Sequence, residues 1–354
     1  MTVAGWERGA LALERLSHDG LDVPEFRRES LRRLRSLLTV DAAFFATVDP
    51  ATLLFTAALA EEPLAAATSL FLDNEFGRDD VNKFANLAIS TDSVGTLDHA
   101  TKGDRAASAR YREVLRPLGL GDELRVALVS GGRCWGVLCL HRADAPLGFG
   151  EQEIGLLRRI APQLGEGLRK GIALFSTGPD SSVARGPGII VLARDLSLIS
   201  INPQAERWLS NLGDADWPAS LELPLPIYAA AAQVTSSDHE DSATPTATRL
   251  RGAEGGWITV HASPLNGPAG YQIAVILDAA NPSELSSLVL AAHGLTAAQS
   301  RVAALVLQGR STRHIVNELH ISSNTVQEHL RAVFDKFGIG SRRELVAALS
   351  GRPR

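Results

Sequence analysis

Apolar residues recur along this chain with two different periods. Between positions 24 and 38, Phe26, Leu31, Leu34 and Leu38 fall at helical spacing with arginines on the opposite face, which predicts an amphipathic helix. Positions 41–48 and 53–59 are apolar enough for buried strands. A further helix is expected over 105–118. Two strands, 124–130 and 133–141, flank Gly131-Gly132, a strong hairpin signal because a two-residue turn needs positive φ at both positions. A long amphipathic helix follows over 149–174, through Ile154, Leu157, Ile160, Leu164 and Leu168. Helices on an antiparallel sheet make an α+β sandwich.

The stretch 176–188, rich in Gly, Pro and Ser, reads as a linker. Beyond it come two short strands with a turn at Arg194-Asp195, then a helix for which Asn202 is the cap and Pro203 the first turn. The helical middle, 217–234, is poorly patterned, and the polar stretch 235–246 reads as a mobile loop. Strands are expected at 247–251, 257–263 and 271–277, and a second connection at 279–283. These breaks divide the chain into units at 1–175, 186–278 and 292–354.

The last 60 residues carry the most specific pattern. Thr296 and Gln299 make a capping box ahead of a helix with Val302, Leu305 and Val306 inward, and Gly309 ends it. Ser311 caps a second helix with Ile315, Val316 and Leu319 inward. His320-Ile321-Ser322 is a tight turn. Ser322 caps a third helix, 323–337, whose Val326, Leu330, Val333, Phe334 and Phe337 form one apolar face before Gly338 stops it. A short fourth helix spans 341–349. Helix, short turn, helix with a polar outer face is a helix-turn-helix, whose second helix enters the major groove of DNA. Its outward residues are Asn324, Gln327, Glu328 and Arg331. Gln pairs with adenine, Arg with guanine, and Glu accepts from the cytosine amine. Ser322, Thr325 and Lys336 sit where phosphates would pass, contacts that fix register without reading sequence. His329 either touches the DNA backbone or packs against the neighbouring helix.

Charge alters the picture. The 354 residues have a net charge of −5, which argues against a protein that coats nucleic acid along its length. Yet 295–354 alone is +5 and the remainder −10, a small basic domain on an acidic body. Only four of the 35 cations are Lys, an arginine excess read first as GC-rich bacterial codon bias. No run is apolar enough to span a membrane and no signal core opens the chain, so a cytoplasmic place is expected. Cys134 and Cys139, five apart on one strand, are expected to point to opposite faces as buried thiols.

Three resemblances follow from these residues. Trp135-Gly136-Val137-Leu138-Cys139-Leu140, then Phe149, Glu153 and the long terminal helix, resemble a GAF domain, the small-ligand-sensing module of bacterial regulators. The strand–strand–Asn202-Pro203-Gln204-Ala205 opening and three-strand ending resemble a PAS domain. Leu295-Thr296, Gly309-Arg310-Ser311, Ile321-Ser322-Ser323-Asn324-Thr325-Val326-Gln327-Glu328-His329-Leu330 and Lys336-Phe337-Gly338 resemble the LuxR-type (GerE-like) helix-turn-helix. The last resemblance implies base reading by Gln327, Glu328 and Arg331, backbone contacts around Ser322, Asn324, Thr325, His329 and Lys336, and pairing of two protomers through the last helix. The chain departs from the family at Ala298-Gln299, Arg301, Val316 and Gln327. Fewer cations and an added Glu328 at the DNA face imply selective but weak monomer binding, rescued by dimerisation.

The expectation is therefore a multidomain, one-component transcription regulator: an α+β GAF-like domain, an α+β PAS-like domain and an all-α helix-turn-helix domain. Its partners are operator DNA, a second copy of itself, a small-molecule effector as candidate signal, and RNA polymerase if it activates. No cofactor, metal site or membrane contact is expected. His18, His99, His141, His239 and His261 are scattered without a haem pattern, and no catalytic triad, metal-ligand pair or phosphate loop marks an enzyme. The competing reading is a constitutive regulator whose front domains are only dimerisation or interaction scaffold.

Overall fold

The structure, a computed structural model, describes residues 3–145, 147–174, 186–212, 223–236, 246–253, 256–268 and 270–349. Most of the linker 176–188, residues 217–222 of the helical middle and 237–245 of the polar stretch lie outside the described residues.

The first unit opens with α1 (Val3–Leu16) and α2 (Val23–Arg35), the latter capped by Asp22. Strands β1 (Ala42–Val48) and β2 (Phe55–Ala60) lead to the short helices α3 (Thr68–Leu72) and α4 (Phe84–Ile89). β3 (Val94–Thr96) and α5 (Leu97–Ala100) precede the hairpin of β4 (Leu120–Ser130) and β5 (Arg133–Ala143), and α6 (Glu151–Leu174) closes the unit. The sheet runs β2-β1-β5-β4-β3 and every pairing is antiparallel. At the hairpin, Ser130 pairs with Arg133 around Gly131 (φ 59°) and Gly132 (φ 72°), the left-handed pair that the two-residue turn demands.

Alternation sorts the strand residues into two cores. Phe45, Leu124, Val126, Leu138 and Leu140 pack with α1, α2 and α6, whose Ile154, Leu157, Ile160, Leu164 and Leu168 are all buried as their spacing predicts. Gly165 lets α6 lie close to the sheet, since a Cβ there would come 2.8 Å from the Leu128 carbonyl oxygen. Ala42, Phe44, Ala127, Val137 and Cys139 face the other way, toward Leu72, Phe84 and Leu97.

Two expectations fail here. Cys134 and Cys139 are both buried, but in the same core, because the ladder shifts register between the pairs Leu128–Gly136 and Val129–Cys134. A bulge adds one residue and reverses the alternation beyond it. The helix expected over 105–118 is instead three short turns, Arg105–Ala107, Tyr111–Leu115 and Arg116–Leu118. Pro117 withholds a donor there, and the Arg110 backbone N–H donates to Asp80 (2.7 Å) while its side chain turns inward.

The middle unit has β6 (Gly188–Ala193), β7 (Leu198–Ile201), α7 (Pro203–Asn211), α8 (Leu225–Ser236), β8 (Thr246–Arg251), β9 (Trp257–Gly267) and β10 (Gly270–Ala279). Asn202 accepts from the Ala205 N–H at 2.8 Å, the cap that the sequence announces. Its sheet, β7-β6-β10-β9-β8, repeats the strand order of the first. α8 packs on β8 and β9 and also on β2 and α3 of the first unit, so the two units share one apolar cluster.

α9 (Pro282–Ala292) then leads to α10 (Ala297–Leu307), α11 (Thr312–Leu319), α12 (Ser323–Phe337) and α13 (Arg342–Leu349). This all-helical unit has its own core of Leu295, Val302, Leu305, Val306, Ile315, Val326, Leu330, Val333, Leu345 and Leu349. Val316 and Leu319, expected inward, are only partly buried. No described helix is long and apolar enough to cross a membrane.

Candidate nucleic-acid interface and sensor cavity

Caps place the interface. Thr296 and Gln299 form the reciprocal capping box of α10. Ser311 accepts from the His314 N–H, and His320, in the left-handed region (φ 54°), ends α11. Ser322 then accepts from the Thr325 N–H at 3.0 Å and starts α12. The turn between the two helices is thereby three residues, His320-Ile321-Ser322, with a cap fixing each end, and α12 lies with Val326, Leu330 and Val333 buried.

The opposite face of α12 carries the expected residues. Asn324, Gln327, Glu328 and Arg331 are exposed on one helical stripe, with Ser322 exposed at its start. Thr325 and His329 are half-buried at its edges. Asn324 donates to Glu328 at 3.0 Å, so that carboxylate is already engaged by a neighbour. Lys336 lies apart from this group. Its ammonium donates to the Gly294 carbonyl (2.7 Å) and to Gln299 (2.8 Å), fastening the end of α12 to the start of α10. Arg342 donates to Thr312 at 2.9 Å and holds α13 beside α11.

α9 belongs to two cores at once. Leu288, Ala291 and Ala292 pack with the α6 layer of the first unit, whereas Val289 and Leu290 pack into the helix-turn-helix core. Arg169 of α6 donates to the Ala292 carbonyl, and His293 stacks on Phe337 with ring centroids 3.9 Å apart. Arg249 of β8 reaches α9 as well, donating to the Glu284 carbonyl (2.7 Å) and to Ser287 (2.9 Å).

The first unit hides a cluster that the sequence reading passed over. Glu123, Arg125, Cys139 and His141 are fully buried on the face of β4 and β5 that looks toward α3 and α4. Arg110 donates to Glu123 at 2.8 Å, and Arg125 to Glu75 at 2.5 Å while lying over the Phe84 ring at 3.9 Å. Burial alone would raise the Glu123 carboxyl, but Arg110 and Arg125 outweigh it and hold it below its ordinary range. Burial lowers the His141 imidazole to about 4, so it is neutral at physiological pH. Burial also pushes the Cys139 thiol well up. A cavity of about 20 Å³ adjoins His141, lined also by Phe44, Leu64, Phe71, Val114 and, from α8, Leu225. It has room for about one water molecule. The signal available in the sequence was charge at Asp122, Glu123 and Arg125 inside a strand that is otherwise mostly apolar.

Residues 293–349 match the luxR family of bacterial regulatory proteins, and residues 22–168 match the GAF domain. No curated protein matches the chain. Among solved structures, the Vibrio cholerae VqmA–ligand–DNA complex is 20% identical over 47% of this chain and 84% of that chain, with a TM-score of 0.25. The Vibrio cholerae VqmA dimer without target DNA is 20% identical over 46% and 81%, with a TM-score of 0.22. A red/green cyanobacteriochrome, NpR6012g4, is 20% identical over 44% and 98%, with a TM-score of 0.27.

Proposed function

We propose that this chain, which carries a GAF domain over residues 22–168 and a luxR-family helix-turn-helix over 293–349, is a signal-responsive transcription regulator that binds operator DNA as a dimer. Units at 1–175, 186–278 and 292–354 divide the work. The first senses, the PAS-like second relays, and the third reads DNA through Gln327, Glu328 and Arg331, with Ser322, Asn324, Thr325 and His329 near the phosphates. Lys336 serves mainly to fix the pose of α12, since its amine is engaged within its own unit.

The observation that carries this reading is the double membership of α9. A helix whose successive residues pack into the sensor body and into the DNA-binding core transmits any displacement of one to the other. The mechanism is a shift of population between arrangements that differ in how two recognition helices are spaced on a two-fold operator.

The test is a gel shift of the full chain on its own promoter, with Arg331→Ala beside it. Loss of sequence preference in the variant supports base reading, and unchanged affinity and preference overturns it.

The small size of the cavity favours one second reading, a constitutive regulator with scaffold domains, because about 20 Å³ has no room for an organic effector without displacement of α8. Native mass spectrometry of the purified chain separates the two. A co-purifying molecule or ion supports sensing, and a chain indifferent to every candidate supports scaffold.

A further inference from the structure

We propose that Glu123, Cys139 and His141 bind one divalent first-row transition ion, zinc or ferrous iron, in the core of the GAF domain. The placement comes from strand register. Glu123 on β4 stands opposite His141 on β5, and Cys139 lies two residues before His141 on the same face. One ligand atom from each lies within 4.8 Å of the other two. An ion bonded at about 2.0–2.3 Å to each ligand spans that separation after small side-chain shifts. Among the described residues this is the one such constellation.

A second observation is independent of proximity. Oε1 of Glu123 and both ring nitrogens of His141 are buried without a hydrogen-bond partner. Buried polar atoms are nearly always satisfied, and these three, which lie beside the likewise unpartnered Nε and Nη1 of Arg125, point to a missing partner. Charge permits a cation there despite two neighbouring arginines. Arg125 is paired with Glu75 at 2.5 Å, and Arg110 takes the other oxygen of Glu123 at 2.8 Å, leaving Oε1 without a hydrogen bond. Arg125 stands 3.9 Å from that oxygen and would turn further toward Glu75.

Thiolate with imidazole selects zinc, iron or their neighbours over magnesium or calcium, which prefer oxygen. Binding breaks the S–H bond of Cys139, forms a sulfur–metal bond and releases the proton to solvent. His141 also lines the small cavity, which would give an open position on the ion somewhere to hold a ligand. Its size suits a water or a diatomic molecule. The input to the sensor is therefore the ion itself or a small ligand on it. That consequence rests on the sensor reading, whereas ion binding does not.

The experiment uses the full chain and two probes. Protein from cells grown with added zinc or iron is gel-filtered under reducing, anaerobic conditions and its metal content measured. Separately, the unfolded chain is refolded with cobalt(II). Expected are close to one equivalent of zinc or iron, and a near-ultraviolet thiolate-to-cobalt band that Cys139→Ser abolishes and Cys134→Ser leaves intact. His141→Gln and Glu123→Gln should each weaken cobalt binding at least tenfold. X-ray absorption of the zinc-loaded wild type should show one sulfur and otherwise nitrogen or oxygen neighbours, a readout that needs no variant to fold. A wild type that holds no metal by either route, with water filling the space, overturns the proposal. So does a cobalt band that depends on Cys134 or ignores both His141→Gln and Glu123→Gln. DNA binding of the metal-free chain is measured in parallel, so that loss of the metal site and loss of the regulator reading remain distinct results.

Discussion

Arg249 holds Asp49 with two guanidinium hydrogen bonds, 2.6 and 2.7 Å long, across 200 positions of chain. Asp49 directly follows β1 of the first unit and is almost wholly buried, and Arg249 belongs to the middle unit. The same guanidinium reaches the α9 backbone, so one side chain joins the first unit, the middle unit and the helix that leads to the helix-turn-helix.

Removing one partner of this pair leaves the other buried and uncompensated, which typically costs about 3–5 kcal/mol. Asp49→Ala and Arg249→Ala should each lower the thermal midpoint of the full chain by several degrees. The double variant should be less destabilised than the sum of the two singles. Additive losses in calorimetry would show that the pair does not couple the units.

On the DNA face, Arg331→Ala should cost about 1–3 kcal/mol at the cognate site and relax preference at one base pair. Glu328→Gln should act in the opposite sense on non-specific DNA. It removes an anion from the groove face and frees Asn324, so affinity for random duplex should rise and fall more steeply with salt. A salt titration of both variants against random and cognate duplex is the measurement. An unaltered salt slope for Glu328→Gln would place that residue away from the phosphates.

Leu288→Glu inserts a charge where α9 meets the α6 layer and leaves Val289 and Leu290 in the helix-turn-helix core. The DNA-binding unit should come off the body without unfolding. Small-angle scattering should report a larger radius of gyration, and non-specific DNA binding should persist. A compact variant would show that α9 is not what holds the two together.

Glu75→Gln withdraws the counter-charge of Arg125, which is fully buried. A loss of about 3–5 kcal/mol is expected in denaturant unfolding. A loss under 1 kcal/mol would mean that Glu123 alone balances the arginine.

Local chemistry was legible in the sequence. Asn202, Thr296, Ser311 and Ser322 all cap the helices they were expected to cap, because a cap depends on residues three apart. The α6 stripe and the Gly131-Gly132 turn are local in the same sense. What was not legible depends on register and on distant partners. A single bulge moved Cys134 to the face of Cys139. The single helix expected over 105–118 gave way to short turns as Arg110 engaged Glu123 and Asp80. His141 looked like one of several scattered histidines until β4 brought Glu123 beside it.

The shared ownership of α9 also limits how this protein can be taken apart. A fragment beginning at residue 292 would lack Val289 and Leu290, and one that keeps the whole helix would expose Leu288 and Ala291 to water. Sensor swaps grafted at this seam would therefore need a new interface designed onto the helix, since the sensor and its output cannot be exchanged like beads on a string.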